Sequence, residues 1–243
     1  MTQALREPSG GSPRDELLDL IKSVKEQVIS AQDMYVYVDG ERPAARKEHH
    51  NTPDADKETS MGDLCREVLN CRRCGLHKTR KNIVFGEGAV QAKIVFVGEA
   101  PGADEDVQGR PFVGRAGQLL TDIIVKGMRL RREDVYICNI LKCRPPGNRN
   151  PSTEEISQCE PFLKQQLQLI RPQVICALGK FAAQVLLKTE TPITALRGRF
   201  QDYEGIRLLP TYHPAYLLRN PPAKKQVWED VQMMMNEIGL PIL

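Results

Sequence analysis

No apolar run in this sequence approaches the roughly 20 residues that a membrane-spanning helix needs. The opening Met-Thr-Gln-Ala-Leu-Arg-Glu-Pro also lacks the build of a secretory signal. Both absences point to a cytoplasmic protein with no membrane partner. Gly179-Lys180-Phe181 lacks the preceding glycine spacing, and the Ser or Thr after Lys, that a phosphate-binding loop uses, so nucleotide-triphosphate chemistry finds no support there. In a reducing compartment the seven cysteines stay as thiols, and grouped ones point to metal rather than to disulfides.

The sequence does hold enough apolar material, 41% of 243 residues, for one good core. Its net charge of +3 is unevenly shared: residues 1–60 carry 8 basic and 12 acidic side chains, which leaves 26 basic against 19 acidic for the remainder. A basic globular part suits a polyanionic partner. Residues 1–60 read as an N-terminal extension, with an amphipathic helix over about 13–32 carried by Leu17, Leu18, Leu20, Ile21, Val24, Val28 and Ile29. A disordered linker is expected over 38–60, where almost nothing can be buried and where His49 and His50 are solvated rather than ligating.

From residue 61 to 243 one pattern repeats. Strands are expected over 93–97, 134–138, 173–178 and 206–209, separated by helices near 116–128, 152–170 and 179–188 and closed by a helix over 224–238 that holds the single Trp. Alternation of this kind gives a parallel sheet with helices on both faces. Residues 199–203 can add a hairpin partner to the last strand through Glu204-Gly205.

The stretch Gly98 to Gly117 reads as a long strand-to-helix loop, with five glycines, two prolines, and carboxylates at Glu99, Asp104, Glu105 and Asp106. In open parallel sheets ligands sit at the carboxyl ends of the strands. Those ends carry Gly98-Glu99, Asn139, Gly179-Lys180 and Pro210-Thr211-Tyr212-His213, so a carboxylate, a carboxamide and an imidazole converge on one rim. Cys71 and Cys74 form a Cys-x-x-Cys in a basic setting, with Cys143 and Cys159 far downstream. Four such thiolates fit either tetrahedral zinc or a cubane iron–sulfur cluster, and with no open position the centre would be structural. Cys138 and Cys176 lie in expected strands as small buried residues, and Cys65 on a short helical stretch.

Taken together, Gly98-Glu99-Ala100-Pro101-Gly102, Gly109-Arg110-Pro111-Phe112-Val113-Gly114, Asn139-Ile140-Leu141-Lys142-Cys143-Arg144-Pro145-Pro146 and His213-Pro214-Ala215-Tyr216-Leu217-Leu218-Arg219-Asn220 resemble the family 4 uracil-DNA glycosylases, the iron–sulfur members of that superfamily. The resemblance implies a three-layer α/β/α sandwich around a four-stranded parallel sheet. It implies a [4Fe-4S] cluster on Cys71, Cys74, Cys143 and Cys159, and uracil-containing DNA, single- or double-stranded, as the partner of a monomer. By the same resemblance Glu99, Ala100, Phe112, Asn139 and His213 would bind uracil, and Glu99, Glu105 and His213 would be catalytic. Arg110, Arg144, Leu217 and Arg219 would contact DNA, Leu217 as a wedge with Tyr216 and Leu218 as alternatives. Lys142, Arg115 and Arg149 add cations on the same rim. No lysine is placed for a Schiff base, so strand cleavage is not expected. The rivals are a non-catalytic iron–sulfur module that binds nucleic acid, and a relative trapped covalently on its abasic product. The second would want a nucleophile in the opening loop, and no histidine lies between 98 and 117.

Overall fold

The computed structural model describes residues 53–242. They build a six-stranded sheet from β1 (Glu87–Gly88), β2 (Ile94–Gly98), β3 (Tyr136–Asn139), β4 (Val174–Leu178), β5 (Gln201–Tyr203) and β6 (Ile206–Thr211), in the order β1-β3-β2-β4-β6-β5. The inner four strands run parallel, and β1 and β5 pair antiparallel at the two edges. The four expected strands are therefore all present, and the hairpin through Glu204-Gly205 supplies β5. Edge strand β1 went unseen because two residues, one of them glycine, carry no periodicity.

Alternation along the inner strands divides the core. Val95 and Val97 of β2 face one cluster with Leu163 and Leu167, while Ile94 and Phe96 face another with Leu120, Ile124 and Val231. Burial on both faces is why these strands read as continuous apolar runs rather than as alternating ones. The first face is covered by α1 (Pro53–Leu69), α4 (Thr153–Ile170) and α5 (Lys180–Leu187), the second by α3 (Arg115–Asp122), α7 (Pro214–Arg219) and α8 (Lys224–Glu237). Two short helices complete the set, α2 (Ala103–Gln108) and α6 (Ile193–Leu196).

Two expectations need correction and one, the helix over 116–128, a refinement. The 98–117 segment is not a plain loop, because α2 lies inside it and ends on Gly109 in the left-handed conformation at φ 69°. The helix expected over 116–128 is α3 followed by a π-helical turn, Ile123–Gly127. Residues 53–60 of the expected linker are helical: Met61, Leu64 and Val68 lie on one face of α1, which packs on α4, and the polar first turns extend that same helix. The helix expected over 13–32 and the linker before residue 53 lie outside the described residues.

Helix α4 shows how local chemistry fixes the frame. The Ser152 hydroxyl accepts the Glu155 N–H at 3.2 Å, and the Glu155 carboxylate accepts the Ser152 N–H at 2.9 Å, a reciprocal cap at the helix start. Arg149 closes on that carboxylate through two N–H···O bonds of 2.9 and 2.6 Å and holds its pKa down to about 2. This carboxylate holds Arg149, which is not a free cation for phosphate.

Candidate active site and thiol cavity

Because β2, β3, β4 and β6 are parallel, their carboxyl ends share one rim, and Gly98 of β2 stands directly opposite Asn139 of β3. Gly98 is a glycine for want of room. A Cβ there would lie 2.3 Å from Asn139 Oδ1 and 2.6 Å from Phe112 Cζ, so carboxamide and ring close over the same backbone. The Phe112 ring centroid lies 5.6 Å from that of His213, at a tilt of 33°. Gly179, at φ 89°, lets β4 turn into α5 beneath the histidine, where a Cβ would meet His213 Cβ at 2.9 Å. Asn139, Phe112 and His213 are thus brought together by the ends of three strands and the loop that crosses them.

Asn139 is 1% exposed, and its Oδ1 has no hydrogen-bond partner. A buried amide oxygen left unpaired costs about 1–3 kcal/mol, a cost natural proteins carry where a ligand will supply the missing donor. His213 Nδ1 accepts the Ala215 N–H at 3.1 Å, which leaves any ring proton on Nε2. Burial, helped by the nearby positive charge of Arg219 and opposed by Glu105, pushes the His213 pKa down to about 4. At neutral pH the side chain is therefore an uncharged imidazole with a single N–H donor. Glu99, next to Gly98 and half-buried, has its carboxyl pKa raised by desolvation, and no side-chain hydrogen bond or ion pair is described for it. Ala100 is half-buried and packs against the first core cluster.

The other carboxylates of the segment are occupied. Glu105 Oε1 accepts the N–H groups of Val113 and Gly114 at 2.9 and 3.0 Å, and Oε2 that of Gly102 at 3.1 Å. Asp106, fully buried, accepts the backbone N–H groups of Lys81 and Asn82. Glu105 shapes the segment around Phe112 and Asp106 ties α2 to the 81–82 backbone, so Glu105, expected to be catalytic, is engaged in holding backbone.

The remaining rim residues divide. Leu217, expected as the wedge, is 1% exposed and sits in the second core cluster, a placement that does not suit a side chain entering DNA. Its place three residues after buried Pro214 on α7 turns it inward, and its neighbours Tyr216 and Leu218 are 37% and 40% exposed instead. Lys142 is likewise no phosphate contact. It is buried, donating to Asn139 O at 2.9 Å and to Gln166 Oε1 at 2.5 Å. Arg110 pairs with Glu87 at 2.8 Å, Arg144 donates to Asn148 Oδ1 at 2.7 Å, and Arg115 and Arg219 are exposed.

Cys71, Cys74, Cys143 and Cys159 line one cavity between the chain that follows α1, the 143 segment and α4, together with Arg80, His77 and Phe162. Cys65, Cys138 and Cys176 do not line it. Arg80 donates to Cys143 Sγ at 3.2 Å and to Cys71 O at 2.8 Å, and the Lys142 N–H donates to Cys159 Sγ at 3.3 Å. Donors of this kind suit thiolates that carry charge onto a metal. Among the described residues no three His, Cys, Asp or Glu side chains are close enough to hold a single metal ion, although four thiols line the one cavity. Burial pushes the Cys159 thiol up to about 11, so a metal loading there displaces its proton.

Residues 85–232 match the family model of the uracil DNA glycosylase superfamily. A type-4 uracil-DNA glycosylase of Archaeoglobus fulgidus is 47% identical over 179 residues, covering 70% of this chain and 89% of that protein. Those of Saccharolobus solfataricus and Thermotoga maritima are 48% and 47% identical, covering 71% and 72% of this chain and 84% and 93% of their own. This chain belongs to the type-4 uracil-DNA glycosylases.

Within that family frame, sequence reasoning passed over several residues that the structure brings to the site. Arg80 reaches the thiol cavity from the same basic loop as the Cys-x-x-Cys, and proximity in sequence was the only available signal. Arg132 reaches the Pro111 carbonyl from a 3₁₀ turn before β3, and nothing in its surroundings marked it. The fit at Gly98 also carries a prediction for this glycosylase fold. Gly98→Ala must displace either Asn139 or Phe112, and overpacking of this kind lowers stability by about 1–3 kcal/mol. Urea unfolding should show an earlier midpoint at an unchanged slope, and an unshifted midpoint would mean that the three groups are not in contact.

Proposed function

We propose that this chain hydrolyses the N-glycosidic bond between uracil and deoxyribose in DNA, single- or double-stranded, leaving an abasic site without cutting the strand. The observation that carries the reading is the unpaired, buried Oδ1 of Asn139 beside Phe112 and a neutral His213. An enzyme that acts on a base must take it out of the stack. Phe112 then offers an aromatic face. Asn139 accepts from uracil N3–H through Oδ1 and donates to O4 through Nδ2, whereas cytosine presents the reverse pattern at those atoms. A buried amide left unpaired by cytosine is a strong basis for rejection.

Cleavage moves the bonding pair of the C1′–N1 bond onto the uracil ring and leaves cationic character on the sugar. His213 Nε2–H is the donor for O2, where the negative charge collects, and being neutral it needs no proton to leave it. Glu99, whose carboxyl is made more basic by burial, orients the water that adds at C1′ and takes up its proton. Glu105 keeps the loop shaped around Phe112 rather than meeting substrate. Tyr216 and Leu218 take the wedge role assigned earlier to Leu217, and Arg110, Arg115, Arg144 and Arg219 meet phosphates, Arg110 by exchanging Glu87 for DNA.

The four thiols fit a [4Fe-4S] cluster on Cys71, Cys74, Cys143 and Cys159, which when bound would cross-link the 71–80 loop to the 143–159 segment and carry no step of the reaction. The purified protein is then expected to be brown and to contain iron. Cys143→Ser should bleach it and lower its melting temperature, and a colourless zinc protein would remove the cluster but leave the fold. The chain is read as a cytoplasmic monomer, with an N-terminal extension that ends before α1 and precedes the catalytic domain.

The deciding experiment incubates the full chain with an oligonucleotide holding one uracil, then assays free base and alkali-sensitive strand breaks. Released uracil with breakage only after alkali is expected. Binding without release would leave the non-catalytic module, and a covalent protein–DNA band would leave the trapped relative.

A further inference from the structure

Phe112 holds a backbone conformation, φ 51°, that is costly for an aromatic residue, so its neighbours must impose it. After it in sequence, Glu105 takes the N–H groups of Val113 and Gly114. Before it, the Pro111 carbonyl accepts from Arg132 Nη2 at 2.5 Å. The same guanidinium donates through Nη1 to Thr121 Oγ1 on α3 at 2.8 Å and through Nε to Glu87 on β1 at 2.8 Å. Its side chain is only 17% exposed. Gly117 completes the fit, since a Cβ there would stand 1.9 Å from Phe112 O.

An ordinary ion pair would account for the bond to Glu87, which Arg110 shares from the surface, but not for the other two arms of the fork. Three segments meet on one planar group, and the loop carbonyl it grips directly precedes the strained residue. A lysine in its place could keep one of these bonds, not all three.

We propose that Arg132 is a positioning residue for Phe112, gripping the Pro111 carbonyl so that the ring stays over Gly98 and beside His213. This rests on the platform role of Phe112 in the proposed function. If the base is held by that ring, a small displacement of it costs rate rather than binding of the DNA strand.

Single-turnover excision by Arg132→Lys should be slower by about 10- to 100-fold with a smaller change in KM. The double variant Arg132→Lys/Phe112→Ala should be no slower than Phe112→Ala alone, because both act through one ring, and losses that multiply would overturn the proposal. A second reading is independent of catalysis. With Phe112→4-fluorophenylalanine the ¹⁹F resonance should be single and sharp, and should shift or broaden in Arg132→Lys and also in Thr121→Val, which removes a different anchor of the fork. A resonance unmoved in both variants overturns the proposal even where activity is low. Failure of the glycosylase reading looks different, as a wild-type chain that releases no uracil.

Discussion

Asn139→Asp should lower uracil excision by about 10³-fold or more at pH 8, and should release cytosine at lower pH. The substitution changes almost no volume, so packing against Gly98 and Phe112 survives. What changes is the pattern of donors. An ionised carboxylate accepts from N3–H but meets O4 with a second lone pair, and sets a negative charge against a ring that becomes negative as the bond breaks. Buried among the same neighbours, the new carboxyl takes a raised pKa and is protonated well above the ordinary range. The acid form donates to cytosine N3 and accepts from its amino group, the complement that Asn139 lacks. Discrimination of about 10⁴–10⁵ has been reached elsewhere by sites that leave a buried polar group unpaired in the wrong complex, so a loss of this size is in scale. Matched single-turnover reactions on uracil and cytosine strands measure it, and an unchanged uracil rate would remove Asn139 as the reader of the base edge.

His213→Ala should cost about 10²–10³-fold in kcat, the usual scale for removing one donor to a developing anion. The pH profile distinguishes its mode of action. With its pKa pushed down to about 4, His213 does not titrate through the usual value near 6.5, so the wild-type rate should show no inflection there. On the proposed mechanism the acid limb should follow Glu99, whose carboxyl loses its charge at a higher pH than an exposed glutamate. Stability gives a second check with a fixed sign. The folded state binds fewer protons at His213 than the unfolded chain does between about 6.5 and 4, so its contribution is full above 6.5 and is lost as pH falls toward 4. His213→Ala should flatten that part of the curve of melting temperature against pH. An inflection in rate near 6.5 that disappears with the histidine would show an imidazolium mechanism.

How much of this was legible differs by element. Strands β2 and β4 were plain because each is apolar over its whole length, as burial on both faces demands, and β3 is apolar up to Asn139. Strand-end residues followed, since parallel strands fix which tips are neighbours. The carboxylates of the Gly98–Gly117 segment were not separable from sequence: Glu99, Glu105 and Asp106 differ only in where their oxygens end, one half-buried without a side-chain partner and two on backbone N–H groups. Leu217 was not readable. Its spacing from Pro214 puts the two on one face of α7, but that this face is the buried one depends on what packs against it. Arg132 was not readable, because its three partners lie 11 to 45 residues away.

Sequence alone determined the doubly covered parallel sheet, the rim that carries Glu99, Asn139 and His213, and the family to which the chain belongs, because these depend on periodicity and on motifs that are local in the chain. Only the tertiary structure decided that His213 is neutral, that Asn139 Oδ1 is unpaired, that Glu105 is tied to backbone and that Leu217 is core. Burial and hydrogen-bond saturation are properties of what surrounds a side chain, and those surroundings come from distant parts of the chain.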